Sequence, residues 1–298
     1  MNLELDCIPC FLRNALAAAR IATPDAGVHE QIIREALRIA AARDPKNSAP
    51  AMSQFIHRRL RDLTGIADVY REAKQRFNAL ALELLPELEA KVSEAEDPFA
   101  YAVRLAIAGN VIDLGVNSGL QEPDIRRSLQ QVLTEPFCGD LHLFRTILST
   151  AGRVLYLADN TGEIVFDRLL IEQLPAGHVT VAVRGGPVLN DATLADARTV
   201  GMDQIAEVID NGSDAPGTIL DDCSRAFQDS FKRADIIIAK GQGNFETLRE
   251  ASANIFFLLK IKCSVVANQT GLPIGTQALI YHHPGPTESC QLSPESRL

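Results

Sequence analysis

The sequence predicts an α/β protein, with a largely parallel sheet covered by helices and preceded by a helical N-terminal region. Three observations carry this. Residues 153–281 alternate short apolar runs with amphipathic stretches, the pattern of parallel strands joined by helices. Residues 1–150 read as nearly all helix. Five apolar runs of the second half each end in a polar or charged residue, or lead into a loop that carries one. In a parallel sheet the carboxyl ends of the strands share one edge, and ligands bind there.

Helices are expected over 8–21, 28–43, 50–63, 69–92, 97–115, 123–132 and 140–150. In the fourth, Phe77, Leu80, Leu84 and Leu88 fall on one stripe at helical spacing. Pro86 should kink that helix or end it early. The loops ARDPKNSAP and AEDPF each separate two helices. The segment LAIAGNVIDLGV is an apolar run interrupted by Gly109, Asn110 and Asp113. It is either an ordinary helix end with capping residues or part of a cap over the sheet edge.

The strands follow in order. LYLADNTGE delivers Asp159, Asn160 and Glu163, and VTVAVRGGPVLND delivers Arg184, Asn190 and Asp191. IAEVIDNGSD delivers Asp210 and Asn211, ADIIIAKGQGNFE delivers Lys240 and Asn244, and NIFFLLKIK delivers Lys260 and Lys262. The polar, Pro-rich tail is expected to be disordered. The expected organisation is a helical region over 1–150 capping the site, an α/β domain over 151–281 and a tail over 282–298.

Composition narrows the function classes. A net charge of −9 argues against binding nucleic acid through its phosphates, and the absence of Trp argues against a base-stacking platform. A small anionic substrate stays possible, because a lysine cluster and a metal reverse the local field. No stretch approaches the ~20 apolar residues of a membrane helix. MNLELDCIPC has no basic region followed by an apolar core, so a cytoplasmic protein with reduced thiols is expected.

The strand-end residues point to a cation and an anion together. Asp159 and Asn160 offer hard oxygens suited to Mg²⁺ or Mn²⁺. Asp191 lies 32 residues after Asp159, close to one βαβ unit, so neighbouring strands would bring the three together. The plainer alternatives are that Asp159 or Asn160 caps one helix and Asp191 caps the next. The glycines of KGQGN let backbone N–H groups approach an anion beside Lys240, although the P-loop spacing is missing. Lys260 and Lys262 would share a face of their strand. Cys7 and Cys10 have CxxC spacing, which fits packing thiols, a metal or thiol exchange.

Together DNTGE, RGGPVLNDAT, KGQGN and LKIKC resemble the metal-dependent damage-control phosphatase family, also catalogued as domain of unknown function 89. DCIPC, DVYREAKQRFN and AGNVIDLG look like its N-terminal signatures, and the CxxC start is similar to its archaeal and bacterial branch. The resemblance covers roughly residues 5–281. It implies a three-layer α/β/α sandwich with a helical N-terminal region. Asp159, Asn160 and Asp191 would hold a divalent metal (Mn, Co, Ni or Mg), with Glu163 and Asp210 at the same site. Asn110 and Asp113 would approach from the helical part, and Lys240, Asn244 and Lys262 would hold the substrate phosphate. Asp159, Asp191 and Lys240 would carry the chemistry, and the partner would be a small phosphorylated metabolite. Val69 departs from the family's usual proline, and Thr161 stands where many relatives have a smaller residue.

The expected function is therefore metal-dependent hydrolysis of phosphate monoesters of small metabolites. Alternatives are a non-catalytic metal- or phosphometabolite-binding protein and an S-adenosylmethionine-dependent methyltransferase. A haloacid-dehalogenase-like phosphatase lacks its second acid, because Asn160-Thr161 follow Asp159.

Overall fold

The computed structural model describes residues 4–42, 48–109, 126, 129 and 131–284. The chain opens with five helices: α1 (Cys7–Ala22), α2 (Ala26–Ala42), α3 (Ala49–Thr64), α4 (Arg71–Glu94) and α5 (Pro98–Ala108). Then come β1 (Phe137–Cys138), α6 (Leu141–Thr150), β2 (Val154–Leu157), α7 (Glu163–Ile171), β3 (Val179–Val183), α8 (Leu194–Thr199) and β4 (Glu207–Asp210). The last stretch holds α9 (Arg225–Arg233), β5 (Ile236–Lys240), α10 (Gly241–Leu248), β6 (Ile255–Lys260), α11 (Ser264–Thr270) and β7 (Gln277–His282).

Four helix starts carry side-chain caps. Ser48, Asp97, Asp140 and Ser224 each accept an N–H from the first turn of α3, α5, α6 and α9. Pro86 does not end α4, which runs on to Glu94. Leu84, Leu85, Leu88 and Val92 bury one stripe against the core, and that burial offsets the hydrogen bond the proline removes. The helices expected over 97–115 and 123–132 lie partly outside the described residues.

The seven strands form one sheet in the order β1-β7-β6-β5-β2-β3-β4. β6, β5, β2, β3 and β4 are mutually parallel. β7 is antiparallel to β6, and β1 pairs parallel to β7. The sheet is covered on both faces, as the unbroken apolar strands require. Val154, Tyr156, Ile236, Ile238, Phe256 and Leu258 point toward α4, α5, α6 and α7. Leu155, Leu157, Ile237, Ala239, Phe257 and Leu259 point toward α9, α10 and α11. The three-layer α/β/α arrangement follows directly.

The N-terminal helices divide in two. α4 and α5 belong to the sheet's own core. α1, α2 and α3 bury a separate cluster built on Phe11, Ile32, Met52, Ile56 and Leu60. α3 fastens this unit to the sheet edge. Arg58, Arg61 and Gln54 converge on Asp214 after β4, and Arg61 also donates to the Pro187 carbonyl after β3 at 2.9 Å. Among the described residues, no helix is long and apolar enough to cross a membrane.

Candidate functional site

The chain leaves β2 toward β3 and β4 on one side, then returns to place β5 and β6 on the other. The order therefore reverses between β2 and β5, the kind of switch point at whose carboxyl edge open α/β sheets bind ligands. The loops after β2, β3 and β5 meet at this point.

Backbone bonds staple the first two loops together. Ala192 N–H donates to the Asp159 carbonyl at 2.8 Å, and Thr161 N–H donates to the Asn190 carbonyl at 2.9 Å. Asn160 and Asp191 form an isolated antiparallel bridge. The parallel pairing of β2 with β3 thus brings Asp159, Asn160 and Asp191 together. None of the three serves as a helix cap. The N-cap of α7 is Gly162, at φ 75°, and its N–H goes to Asn78 Oδ1 at 2.8 Å. The N-cap of α8 is Thr193, tied to Asp196 through its N–H and hydroxyl.

The DVYREAKQRFN segment acquires a structural purpose here. Asn78 also donates to Asp196 at 3.2 Å, and buried Lys74 bridges Asp196 at 2.9 Å and Asp68 at 3.3 Å. α4 thereby pins the starts of both helices that follow the candidate loops. A second clamp is Leu189, at φ 45°, a conformation that strains a branched residue. Its side chain packs on the α1–α3 cluster, holding the loop just before Asn190 and Asp191.

The electrostatics are dense and buried. Arg184 Nε donates to Asp191 Oδ2 at 2.6 Å, and its Nη2 reaches Asp159 Oδ1 at 3.4 Å. Its remaining reach goes to Thr218 and Asn244. Asn244 is fully buried, and its amide holds the Lys240 carbonyl at 2.8 Å. Gly241, at φ 76°, begins α10 against Asp159, and a Cβ at that position would overlap the Asp159 carboxylate.

Lys240 turns inward. Its ammonium donates to Glu163 Oε1 at 2.6 Å, to Asp167 Oδ1 at 2.5 Å and to the Ala106 carbonyl of α5 at 2.7 Å. Those three bonds use all its protons. Burial alone would lower its pKa, but Asp167 and Glu163 hold it above the ordinary lysine value. The arrangement differs from the expectation of a phosphate-facing lysine, because α5 and α7 supply three nearby acceptors in the interior. Asp167 was not singled out from the sequence. Burial pushes its carboxyl up to about 6, against the opposing pull of Lys240.

The donor set fits a hard divalent cation. Asp159, Glu163, Asp167 and Asp191 are all buried, and among the described residues Arg184 pairs with Asp159 and Asp191 while Lys240 pairs with Glu163 and Asp167. Asn160 donates its amide N–H groups to Asp159 Oδ2 at 3.0 Å and Glu163 Oε2 at 3.2 Å. Carboxylates accept only, so this fixes the amide and turns its oxygen away from them. The set is a mixed one, two carboxylates with an amide. Among the described residues, no group of three or more His, Cys, Asp or Glu side chains is arranged to hold a metal.

Asp210 ends β4 half-buried, its carboxylate on the Gly212 N–H at 2.9 Å, while its neighbour Asn211 is fully buried and accepts from Gly185 and Ser213. Lys260 pairs with Glu135 at 2.6 Å, and Lys262 lies half-buried two residues past the end of β6. Asn110 and Asp113 lie outside the described residues. Cys7 and Cys10 open α1, Cys7 half-buried and Cys10 exposed, both as free thiols. Burial, with Glu246, Cys263 and Cys10 nearby, raises the Cys7 thiol pKa.

Known proteins resemble this chain in sequence and in fold. A damage-control phosphatase of Archaeoglobus fulgidus is 36% identical over 92% of this chain and 97% of its own length. An uncharacterized protein of Methanocaldococcus jannaschii is 33% identical over 94% of this chain and 95% of its own. The crystal structure of a DUF89 family protein from Pyrococcus horikoshii superposes with a TM-score of 0.85 at 31% identity, covering 95% of this chain and 99% of that one. Residues 4–278 match the damage-control phosphatase ARMT1-like domain, and the chain belongs to that family.

Proposed function

We propose that this protein is a metal-dependent phosphatase that hydrolyses phosphate monoesters of small metabolites. The observation that carries the proposal is the meeting of Asp159, Asn160 and Asp191 at the switch point of the sheet, all three buried. Membership of the damage-control phosphatase family supports it. Those three residues hold a divalent cation, Mn²⁺, Co²⁺, Ni²⁺ or Mg²⁺. When bound, that ion supplies Lewis-acid stabilisation of phosphoryl oxygens.

The chain's own residues set up the rest. Arg184 spans Asp159 and Asp191 and keeps both carboxylates oriented. The N–H groups that open α10 beside Asp159 favour an anion, and Lys262 adds a positive charge after β6. Glu163 and Lys240 act from behind, through the Asn160 amide and the local field. Asn244 holds the start of α10 in place. Asn110, Asp113 and Asp210 are proposed as substrate contacts on the strength of the family resemblance.

The test is phosphate release across a panel of phosphate monoesters with each of the four metals, beside a chelator control and Asp159→Ala. Release that needs metal and disappears in the variant supports the proposal. A folded protein that releases no phosphate with any metal or ester would point instead to a binding role.

A further inference from the structure

α7 carries two buried carboxylates one turn apart, Glu163 and Asp167, and both reach the same ammonium. The phosphatase proposal gives Asp167 no task. It is fully buried on α7, facing the interior side of Lys240. Its Oδ1 accepts from Lys240 at 2.5 Å and from the Tyr156 hydroxyl at 2.7 Å, while its buried Oδ2 has no hydrogen-bond partner among the described residues. Tyr156 is fully buried in β2, four residues before Asn160. A buried carboxylate with an unsatisfied oxygen is costly, and an apolar side chain of similar size would remove that cost.

The bonds continue in one direction. Tyr156 holds Asp167, and Asp167 shares Lys240 with Glu163. Glu163 uses its second oxygen on the Asn160 amide, and that amide also holds Asp159. The chain therefore runs unbroken from the core of the sheet to two of the three residues assigned to the cation. Partners behind metal ligands set ligand orientation, and their loss typically costs 10–100-fold in metal affinity.

We propose that Asp167 and Tyr156 are positioning residues for the cation site: they hold the Lys240 ammonium on Glu163, so that Glu163 keeps the Asn160 amide oxygen available to the cation. The inference rests on the metal-dependent function proposed above. It assigns Asp167 to the site through two intermediates and without contact to substrate.

The experiment measures Mn²⁺ binding to the full chain by electron paramagnetic resonance of the free ion. Wild type is compared with Asp167→Ala, Asp167→Asn and Tyr156→Phe, with melting temperatures recorded for all four. Asp167→Ala should bind Mn²⁺ roughly 10–100-fold more weakly. Asp167→Asn keeps the Oδ1 acceptor and should recover affinity to within about fivefold of wild type. Tyr156→Phe should weaken binding by about threefold, and it carries the test if the alanine variant fails to fold. The Mn²⁺ concentration for half-maximal phosphate release should shift in parallel, with substrate KM unchanged.

A merely structural Asp167 would lower the melting temperature and leave Mn²⁺ affinity at the wild-type value, which overturns the inference. Mn²⁺-dependent wild type with unaffected variants overturns this inference alone. Calorimetry repeats the comparison with Co²⁺, Ni²⁺ and Mg²⁺, and wild type that binds none of the four ions overturns the phosphatase proposal as well.

Discussion

Gly241 tests the site at the scale of one residue. Its φ of 76° disfavours any side chain, and an added methyl meets the Asp159 carboxylate. Gly241→Ala should cut metal-supported phosphate release by about 100-fold, while the left-handed backbone costs only about 1–2 kcal/mol of stability. Activity assay and thermal melting together separate the two effects. His57 gives a second prediction. It is buried on α3 against Tyr70, near Arg61 and Asp214, and burial lowers its pKa to about 4. The folded value lies below the unfolded one, so the neutral ring's stability is present above about pH 6.5 and is lost as pH falls toward 4. Between pH 7 and 5 this group should remove about 2 kcal/mol, a loss that His57→Gln would abolish in melting curves across that range. Residue by residue, Asp159, Asn160 and Asp191 were legible because each follows an apolar strand and their spacing matches one βαβ unit. Asp167 was not, because in EIVFDRLL it reads as the polar position of an ordinary helix. The inward turn of Lys240 was hidden for a related reason. It depends on the Ala106 carbonyl, which only the packing of α5 places beneath the sheet edge.

Elements show where periodicity suffices and where it does not. The parallel strands β2, β3, β5 and β6 could be read from unbroken apolar runs, since both their faces are covered. The antiparallel return of β7 could not, because an alternating pattern of strands and helices carries no sign of the last strand's direction. Pro86 shows tertiary packing overriding a local rule. It is exposed on α4, so its ring contributes little to the core while removing one internal bond. Pro86→Ala should therefore stabilise the protein by about 1–3 kcal/mol, visible as a melting temperature raised by several degrees. An unchanged or lower value would mean that α4 depends on the proline's geometry.

At the scale of the whole molecule, the N-terminal helices are split between two hydrophobic cores. α4 and α5 share the sheet's core, whereas α1, α2 and α3 bury their own smaller cluster and hold the edge through Asp214, Asp222 and the Pro187 carbonyl. Native-state hydrogen exchange should show α1–α3 amides opening at lower free energy than those of β2, β3, β5 and β6. Asp214→Ala should lower the α1–α3 value by about 1–3 kcal/mol and leave the sheet amides alone. A single exchange class across all these elements would contradict that division. The stapling of the β2 and β3 loops then takes on a wider meaning. The loops of Asp159, Asn160 and Asp191 are joined backbone to backbone at the sheet, while α3 belongs to the separate outer cluster. Loss of order in the outer helices would then leave the two paired loops at the sheet edge in register.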